Sequence, residues 1–518
     1  MRNWPASGRS SARRPRSDVN QVNQRTTPGS RSALTGTTAP FSPVNGSGFT
    51  LVVRGTTYSL AAMILARLLG TVSSIIVARL LGKENLGMLA IVNNLTSLGF
   101  FFATFGVPTA LTKFTAQFAA EDRAQLPALL GTSLATMAAP VLLLGSLLFW
   151  GAPTLAQGIY HEPALTPLLQ LAAFVLLVNA FGSAGLGQSL LQGLKEIKRI
   201  SLINITTSAV NLPLVIGLTL LLGLRGVVTA QLAGALLGAV LVLASLSRVG
   251  LDVRRLPFNP RLLPRLLNLA FPAFVSGLVM VPVLWLTTTR LSVTRGFGEV
   301  GLFNICYGLF QLVLFLPNAV GMPLTPLIAE SATTNPERMR RLLRVSLELV
   351  TFLVLILSVG TSAFARPLIL ALYGPGYAAA SRPLVTMAGA VFFCSIGWVL
   401  GFYFAGTGKM WTGMAFNLFW FAALLGISFP LAARLGALGL GVAFWIAYLL
   451  MTLGLLIYAW RRIAMSVTYL AFCGLLSLLS LAVCLWGLDR LGTLARVLAG
   501  LGLLAATTAI AYLALPSK

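Results

Sequence analysis

The sequence is short of charge. Only 9% of its 518 residues are Asp, Glu, Lys or Arg and 57% are hydrophobic, whereas a water-soluble globular chain carries about 25% charged residues. So small a supply cannot cover a soluble surface of this size, and lipid is the expected solvent for most of the chain. Acids are the scarcer sign, 12 Asp+Glu against 37 Lys+Arg, and there is a single histidine, His161. With no Ser/His/Asp set, no P-loop and no clustered His, Cys or carboxylate ligands, the sequence offers no catalytic constellation and no metal or cofactor site. Cys306, Cys394, Cys473 and Cys484 sit singly in apolar runs at wide spacings. That excludes a disulfide framework and leaves them as small buried hydrophobes.

What is present is a succession of apolar runs, each long enough to cross roughly 30 Å of hydrocarbon as a helix. Fourteen are expected, at about 56–81, 87–118, 127–150, 164–190, 200–222, 226–247, 267–290, 299–328, 345–365, 383–405, 411–433, 437–460, 467–488 and 491–515. The expected fold class is therefore an all-α polytopic membrane protein. An even number of spans puts both termini on one side. If that side is cytoplasmic, 26 of the 37 basic residues fall in the N-terminal tail and cytoplasmic segments, against 10 on the opposite side. A bias spread over many short loops is the topogenic pattern. Nucleic-acid binding would need the charge gathered on one surface and is not expected. Residues 1–50, polar and rich in Arg, Ser, Pro and Gly, are expected to form a disordered basic cytoplasmic tail.

The chain also resembles itself. Gly87 matches Gly301, Gly106-Val107-Pro108 matches Gly321-Met322-Pro323, and Tyr160, Gly193, Asn204 and Gly226 match Tyr373, Gly406, Asn417 and Gly439. The offset stays between 213 and 215. A fixed order at constant spacing marks a duplication. It predicts two six-helix lobes, 51–247 and 267–460, joined by a basic linker at 248–266 and followed by an unpaired helix pair within 461–518. Parallel repeats are related by an axis along the membrane normal, and transport sites lie at their interface.

Arg67 is the most informative single residue. A span beginning near Thr56 places it about 11 residues, roughly 16 Å, into the membrane. A cation there needs a wet cavity or a partner. Arg67, Gly70, Thr71 and Ser74 form one stripe at helical spacing. The acids all fall in the tail, in loops or near span ends, with Glu348 the nearest to an exception. Buried positive charge without buried negative charge favours an anionic ligand, and the guanidinium fork suits phosphate. Lys113, Arg79 and Arg290, near span ends, are further candidates to bracket an anionic path, with snorkelling as the competing reading. Asn93 and Ser97 share a helix face, and Asn204 and Asn417 are repeat equivalents; glue between helices is their expected role.

The run LARLLGTVSSIIVARLLGKENLG (65–87), followed by GVPTALTKFTAQ (106–117), resembles the start of polysaccharide-export and lipid-linked-precursor flippases. These belong to the multidrug/oligosaccharidyl-lipid/polysaccharide (MOP) exporter superfamily. The resemblance spans roughly residues 55–460, and the last two spans are similar to its fourteen-helix branch, which includes lipid II flippases and the stage V sporulation protein B group. It implies a V-shaped pair of six-helix bundles, as in MATE transporters, in the cytoplasmic membrane. It also implies alternating-access export of anionic polyprenyl-diphosphate-linked oligosaccharide for the cell envelope, by a monomer without cofactor. A first-helix cavity arginine carries over to Arg67 and a motif lysine to Lys113. A second arginine that lipid II flippases hold six residues further on is Ser73 here, which favours a general oligosaccharide over lipid II. Two alternatives stay open: a MATE-like drug or metabolite exporter, and an integral-membrane glycan polymerase or ligase.

Overall fold

A backbone surrounded by lipid must satisfy its N–H and C=O groups internally, and helix does so within each segment. The computed structural model describes residues 46–248, 256–279, 281–463, 466–486 and 493–515, with eighteen α-helices and no strand among them. The expected tail up to residue 45 and the Arg254-Arg255 pair of the expected linker lie outside the described residues. The architecture that follows belongs to the unit Arg54–Lys518.

First-repeat helices are α1 (Gly46–Thr104), α2 (Val107–Glu121), α3 (Leu126–Thr154), α4 (Leu165–Phe181), α5 (Leu186–Gly193), α6 (Ile197–Leu222) and α7 (Leu224–Arg248). The second repeat contributes α8 (Leu262–Gly277), α9 (Val281–Arg295), α10 (Phe297–Val313), α11 (Phe315–Thr334) and α12 (Pro336–Ala363). It continues with α13 (Ala365–Tyr373), α14 (Ser381–Gly406), α15 (Met410–Leu435) and α16 (Ala437–Tyr458). Two more, α17 (Thr468–Trp486) and α18 (Thr493–Leu513), close the chain and pack on α12.

Eleven segments are long and apolar enough, by length and composition, to cross a membrane, beside two shorter apolar helices at Leu262–Val275 and Val497–Leu513. The first of the eleven, Ile64–Thr104, holds two of the expected spans, which meet without a loop at Gly82. With φ 73° and ψ 171° there, the helix is broken on one residue, and only glycine takes that conformation cheaply. Four expected spans are themselves broken. One breaks at Phe105-Gly106, where Gly106 is left-handed and Pro108 starts α2. The others break between α4 and α5, between α8 and α9, and between α10 and α11.

Equivalent helices pack equivalently. In the first repeat α3 packs on α4, α4 on α7 and α6 on α7; in the second, α12 packs on α14, α14 on α16 and α15 on α16. One helix departs from this scheme. Although α8 opens the second repeat, it packs on α2 and α3 of the first, and only after the break does α9 join α15. Large apolar side chains such as Leu143, Trp150, Leu221 and Trp411 point outward, as suits a surface solvated by lipid.

The two repeats meet through a reciprocal contact. A Cβ on Gly87 would lie 1.8 Å from the Phe297 oxygen, and one on Gly301 would lie 2.0 Å from the Lys83 oxygen. Lys83 and Phe297 stand at the same repeat offset as the two glycines. Each glycine thus admits the backbone of the other repeat, as a two-fold relation requires. Around this crossing the Tyr377 hydroxyl donates to the Ala78 oxygen at 2.6 Å. The Tyr160 hydroxyl meets Thr289 Oγ1 at 2.9 Å and accepts from Trp285 Nε1 at 3.2 Å. Burial raises the Tyr160 pKa, opposed by those two hydrogen bonds, so the phenol is held neutral. This end of the bundle is closed by backbone-to-backbone packing.

Candidate functional site: a charge-free cavity with two unlike walls

Helical spacing brings polar side chains of the first repeat to one place. Asn93 and Ser97 are four residues apart on α1, Thr207 and Asn211 four apart on α6, and Gln231 faces them from α7. Together with Asn179 on α4 they line a cavity of about 730 Å³, within the size range of pockets that enclose small ligands. Several hydroxyls are already engaged by their own helices: Thr96 Oγ1 donates to the Val92 oxygen at 2.7 Å and Thr207 Oγ1 to the Ile203 oxygen at 2.8 Å. Asn211 is different. Its Oδ1 is buried without a hydrogen-bond partner, beside Gly234, where a Cβ would come within 3.1 Å of it.

The second repeat supplies aromatic side chains. Trp285, Tyr307, Trp398, Trp420, Phe444 and Tyr448 line a second cavity of about 290 Å³. Trp398, Trp420 and Tyr448 also line a third, of about 320 Å³, with Asn417. The rings support one another: Trp420 and Tyr448 centroids are 4.9 Å apart, and Trp420 and Phe444 6.2 Å. Trp420 is 3% exposed, yet its Nε1–H has no partner. Ser97 and Val281 line both the first and the second cavity, so the polar and aromatic spaces share a wall at the junction of the repeats. Asn94 ties that junction, its Nδ2 donating to Thr288 Oγ1 at 3.0 Å.

The duplication relates the walls residue by residue. Asn93 corresponds to Tyr307, Thr96 to Phe310, Thr207 to Trp420, Gln231 to Phe444 and Ala235 to Tyr448, all at offsets of 213 or 214, and all ten line the cavities. The same backbone positions thus carry an amide or hydroxyl, or at Ala235 a methyl, in one copy and rings in the other. Among the described residues no charged side chain lines any of the three spaces.

The residues expected from sequence are placed differently. Arg67 and Ser74 are exposed on α1 and line none of these cavities. Thr71 Oγ1 donates to the Arg67 oxygen at 2.9 Å, so the polar stripe exists as a helix face. Arg79 is engaged at the C-terminal end of α13, its Nε donating to the Leu372 oxygen at 2.6 Å and its second nitrogen to Ala371. Arg295 does the same at the end of α15, through Ala433 at 2.8 Å and Arg434. Both guanidiniums complement a helix C-terminus. Arg290 lies over the Phe429 ring at 5.7 Å, half-buried, with Nε unpartnered. Lys113 is exposed on α2. Glu348 is 5% exposed beside Tyr469, with Oε2 unpartnered, so one carboxyl is buried between helices. It lines none of the three cavities.

Asn93 and Ser97, expected to be glue between helices, are wall residues instead. Sequence reading passed over Asn179, Asn211, Gln231, Trp398, Trp420 and Tyr448. Carrying the repeat register from the conspicuous glycines to the polar positions would have found several of them, since Thr207/Trp420 and Gln231/Phe444 fall on the same offset.

Comparison with known proteins agrees with this arrangement. Residues 52–332, more than half of the chain, match the model of the family described as "Polysaccharide biosynthesis protein". A 168-residue stretch is 24% identical to the EPS I polysaccharide export inner membrane protein EpsE of Ralstonia nicotianae, covering 32% of this chain and 38% of that relative's length. The fold is similar to that of the lipid II flippase MurJ in an inward closed conformation, with TM-score 0.70 and 16% identity over 88% of this chain and 99% of MurJ. It is also similar to an inward-facing MATE multidrug-resistance transporter of the MOP superfamily, with TM-score 0.66 and 16% identity over 78% and 98% of the two chains. The duplicated helical frame and the family match lead to one conclusion: the chain is a multi-pass membrane protein of the polysaccharide biosynthesis protein family.

Proposed function

We propose that the protein is a flippase that moves polyprenyl-diphosphate-linked oligosaccharide from the cytoplasmic to the outer leaflet by alternating access, without acting as an enzyme. The observation that carries this reading is a pair of adjoining cavities at the repeat junction, one lined with amides and hydroxyls and the other with aromatic faces. Such a pairing suits sugars, whose hydroxyls need directional partners while their C–H faces lie on rings. A cation exporter would need a counter-charge in its cavity, and among the described residues none of the three cavities has one.

Both termini are assigned to the cytoplasm, which puts the Gly87–Gly301 crossing at the outer end. Glycan enters from the cytoplasm while that crossing is shut and leaves when the repeats separate there. The lipid tail stays in the bilayer. Arg67, outside the glycan cavity on its exposed α1 face with Thr71 and Ser74, is assigned to the diphosphate, with Lys113 as a second cation. An inside-negative potential favours outward movement of the anion by about 2.3 kcal/mol per charge per 100 mV.

The test is reconstitution into vesicles with a labelled lipid-linked oligosaccharide, scoring leaflet transfer and covalent change. Unaltered glycan in the opposite leaflet is the expected result; altered glycan would replace this reading with the ligase, and efflux of organic cations with the drug exporter. Arg67→Ala is expected to lower transfer at least tenfold, about 1.4 kcal/mol, with unchanged membrane insertion. Undiminished transfer would remove Arg67 from the path.

A further inference from the structure

We propose that the cavity selects an uncharged glycan, a chain of neutral sugars without uronate, sulfate or amino groups. The inference rests on the flippase reading and adds to it the chemistry of the cargo. Two unpartnered buried atoms specify what must arrive. Asn211 Oδ1 is an acceptor awaiting a donor, and Trp420 Nε1–H is a donor awaiting an acceptor. They line adjoining cavities, Asn211 the first and Trp420 the second and third.

A sugar hydroxyl is both donor and acceptor, so one kind of group answers both atoms. A carboxylate accepts only, so the group that replaces a sugar hydroxyl in a uronate cannot itself answer the Asn211 acceptor. It would also bring an ion into a space where no lining side chain among the described residues is charged, and an ion taken out of water without a partner is strongly disfavoured. A protonated amine could donate to Asn211 but would find no counter-charge. The aromatic wall points the same way, since Trp420, Tyr448 and Phe444 offer faces to the C–H side of a pyranose. Arg67 lies outside these linings, so the charge of the diphosphate and the neutrality demanded of the sugars concern different places.

Two polyprenyl-diphosphate-linked trisaccharides, one of glucose alone and one ending in glucuronate, are compared in vesicles containing the full chain. The neutral compound is expected to cross at least tenfold faster, a difference of 1.4 kcal/mol. Equal or faster crossing of the acidic one would overturn the proposal. If neither crosses, the flippase reading fails, and selectivity is decided by binding. Free neutral and uronate-bearing trisaccharides are titrated into purified protein while tryptophan fluorescence is followed. Saturable change with the neutral sugar only supports the proposal; change with both, or with neither, overturns it.

Two variants guard against misfolding as an explanation. Trp420→Phe keeps a ring and is expected to keep the neutral preference with weaker binding. Asn211→Lys adds a cation to the polar wall and is expected to shift preference toward the acidic trisaccharide at an unchanged thermal midpoint. An unshifted preference would overturn the assignment of Asn211 to the glycan wall.

Discussion

Thr207 and Trp420 occupy the same position of the same helix in two copies of one ancestral unit, yet one presents a hydroxyl bonded back to its own helix and the other a buried indole. At Gly87 and Gly301 the copies have not diverged at all. The difference is physical. Where the repeats touch, backbone meets backbone, and any side chain would occupy the space of a carbonyl on the other copy. Both copies must then keep glycine together. Where the repeats face the cavity there is room, and each wall is free to take its own chemistry. Symmetry is retained where it bears the contact and lost where it would only make two equal walls.

The comparison breaks most severely at the crossing. Gly87→Val and Gly301→Val are each expected to abolish transfer, because the added atoms meet the Phe297 and Lys83 oxygens, and overpacking of this kind costs about 1–3 kcal/mol or more. The two losses should match. Reconstituted transfer together with disulfide trapping between cysteines placed at 83 and 297 measures it; full activity in one variant and none in the other would contradict the reciprocal contact.

At the walls the same exercise should give unequal results. Trp420→Ala is expected to lower transfer at least tenfold, about 1.4 kcal/mol, as it removes the ring on which Tyr448 and Phe444 pack. Thr207→Ala should cost about twofold, at the low end of a net hydrogen-bond contribution of roughly 0.5–1.5 kcal/mol, because its hydroxyl is already engaged. Initial rates at matched protein levels check this; comparable losses would mean the walls are functionally alike.

The smallest effect is expected from the paired capping arginines. Arg79→Ala and Arg295→Ala should each lower stability by about 0.3–1 kcal/mol, the usual worth of a cation at a helix C-terminus, and leave transfer nearly intact. Thermal midpoints and transfer rates are the measurements. A specific loss of transfer in Arg79→Ala alone would return that residue to the substrate path.

Much of the frame was legible in the sequence, and the residues explain which parts. Each of the fourteen apolar runs falls on helix among the described residues, and the break at Gly106 was marked by the Gly-Val-Pro turn. The loopless break at Gly82 carried a weaker signal, one glycine in a chain holding 50. The departure of α8 to the first repeat carried none, since its apolar face fits either repeat. The surroundings of Arg79 and Glu348 had no local signal for a related reason: the carbonyls of α13 and the packing of α17 beside them lie nearly three hundred and about one hundred and twenty residues away.

Composition, run length and the duplication by themselves determined a lipid-solvated, twice-repeated helical protein, because water and hydrocarbon impose those constraints on any chain locally. Which helix faces meet the cavity was decided only in three dimensions. Inside a bilayer an outward face and a packed face are equally apolar, so hydropathy has no gradient by which to point a helix. Only the packing of one helix on another turns Asn211 and Trp420 inward, each to its own one of two adjoining cavities.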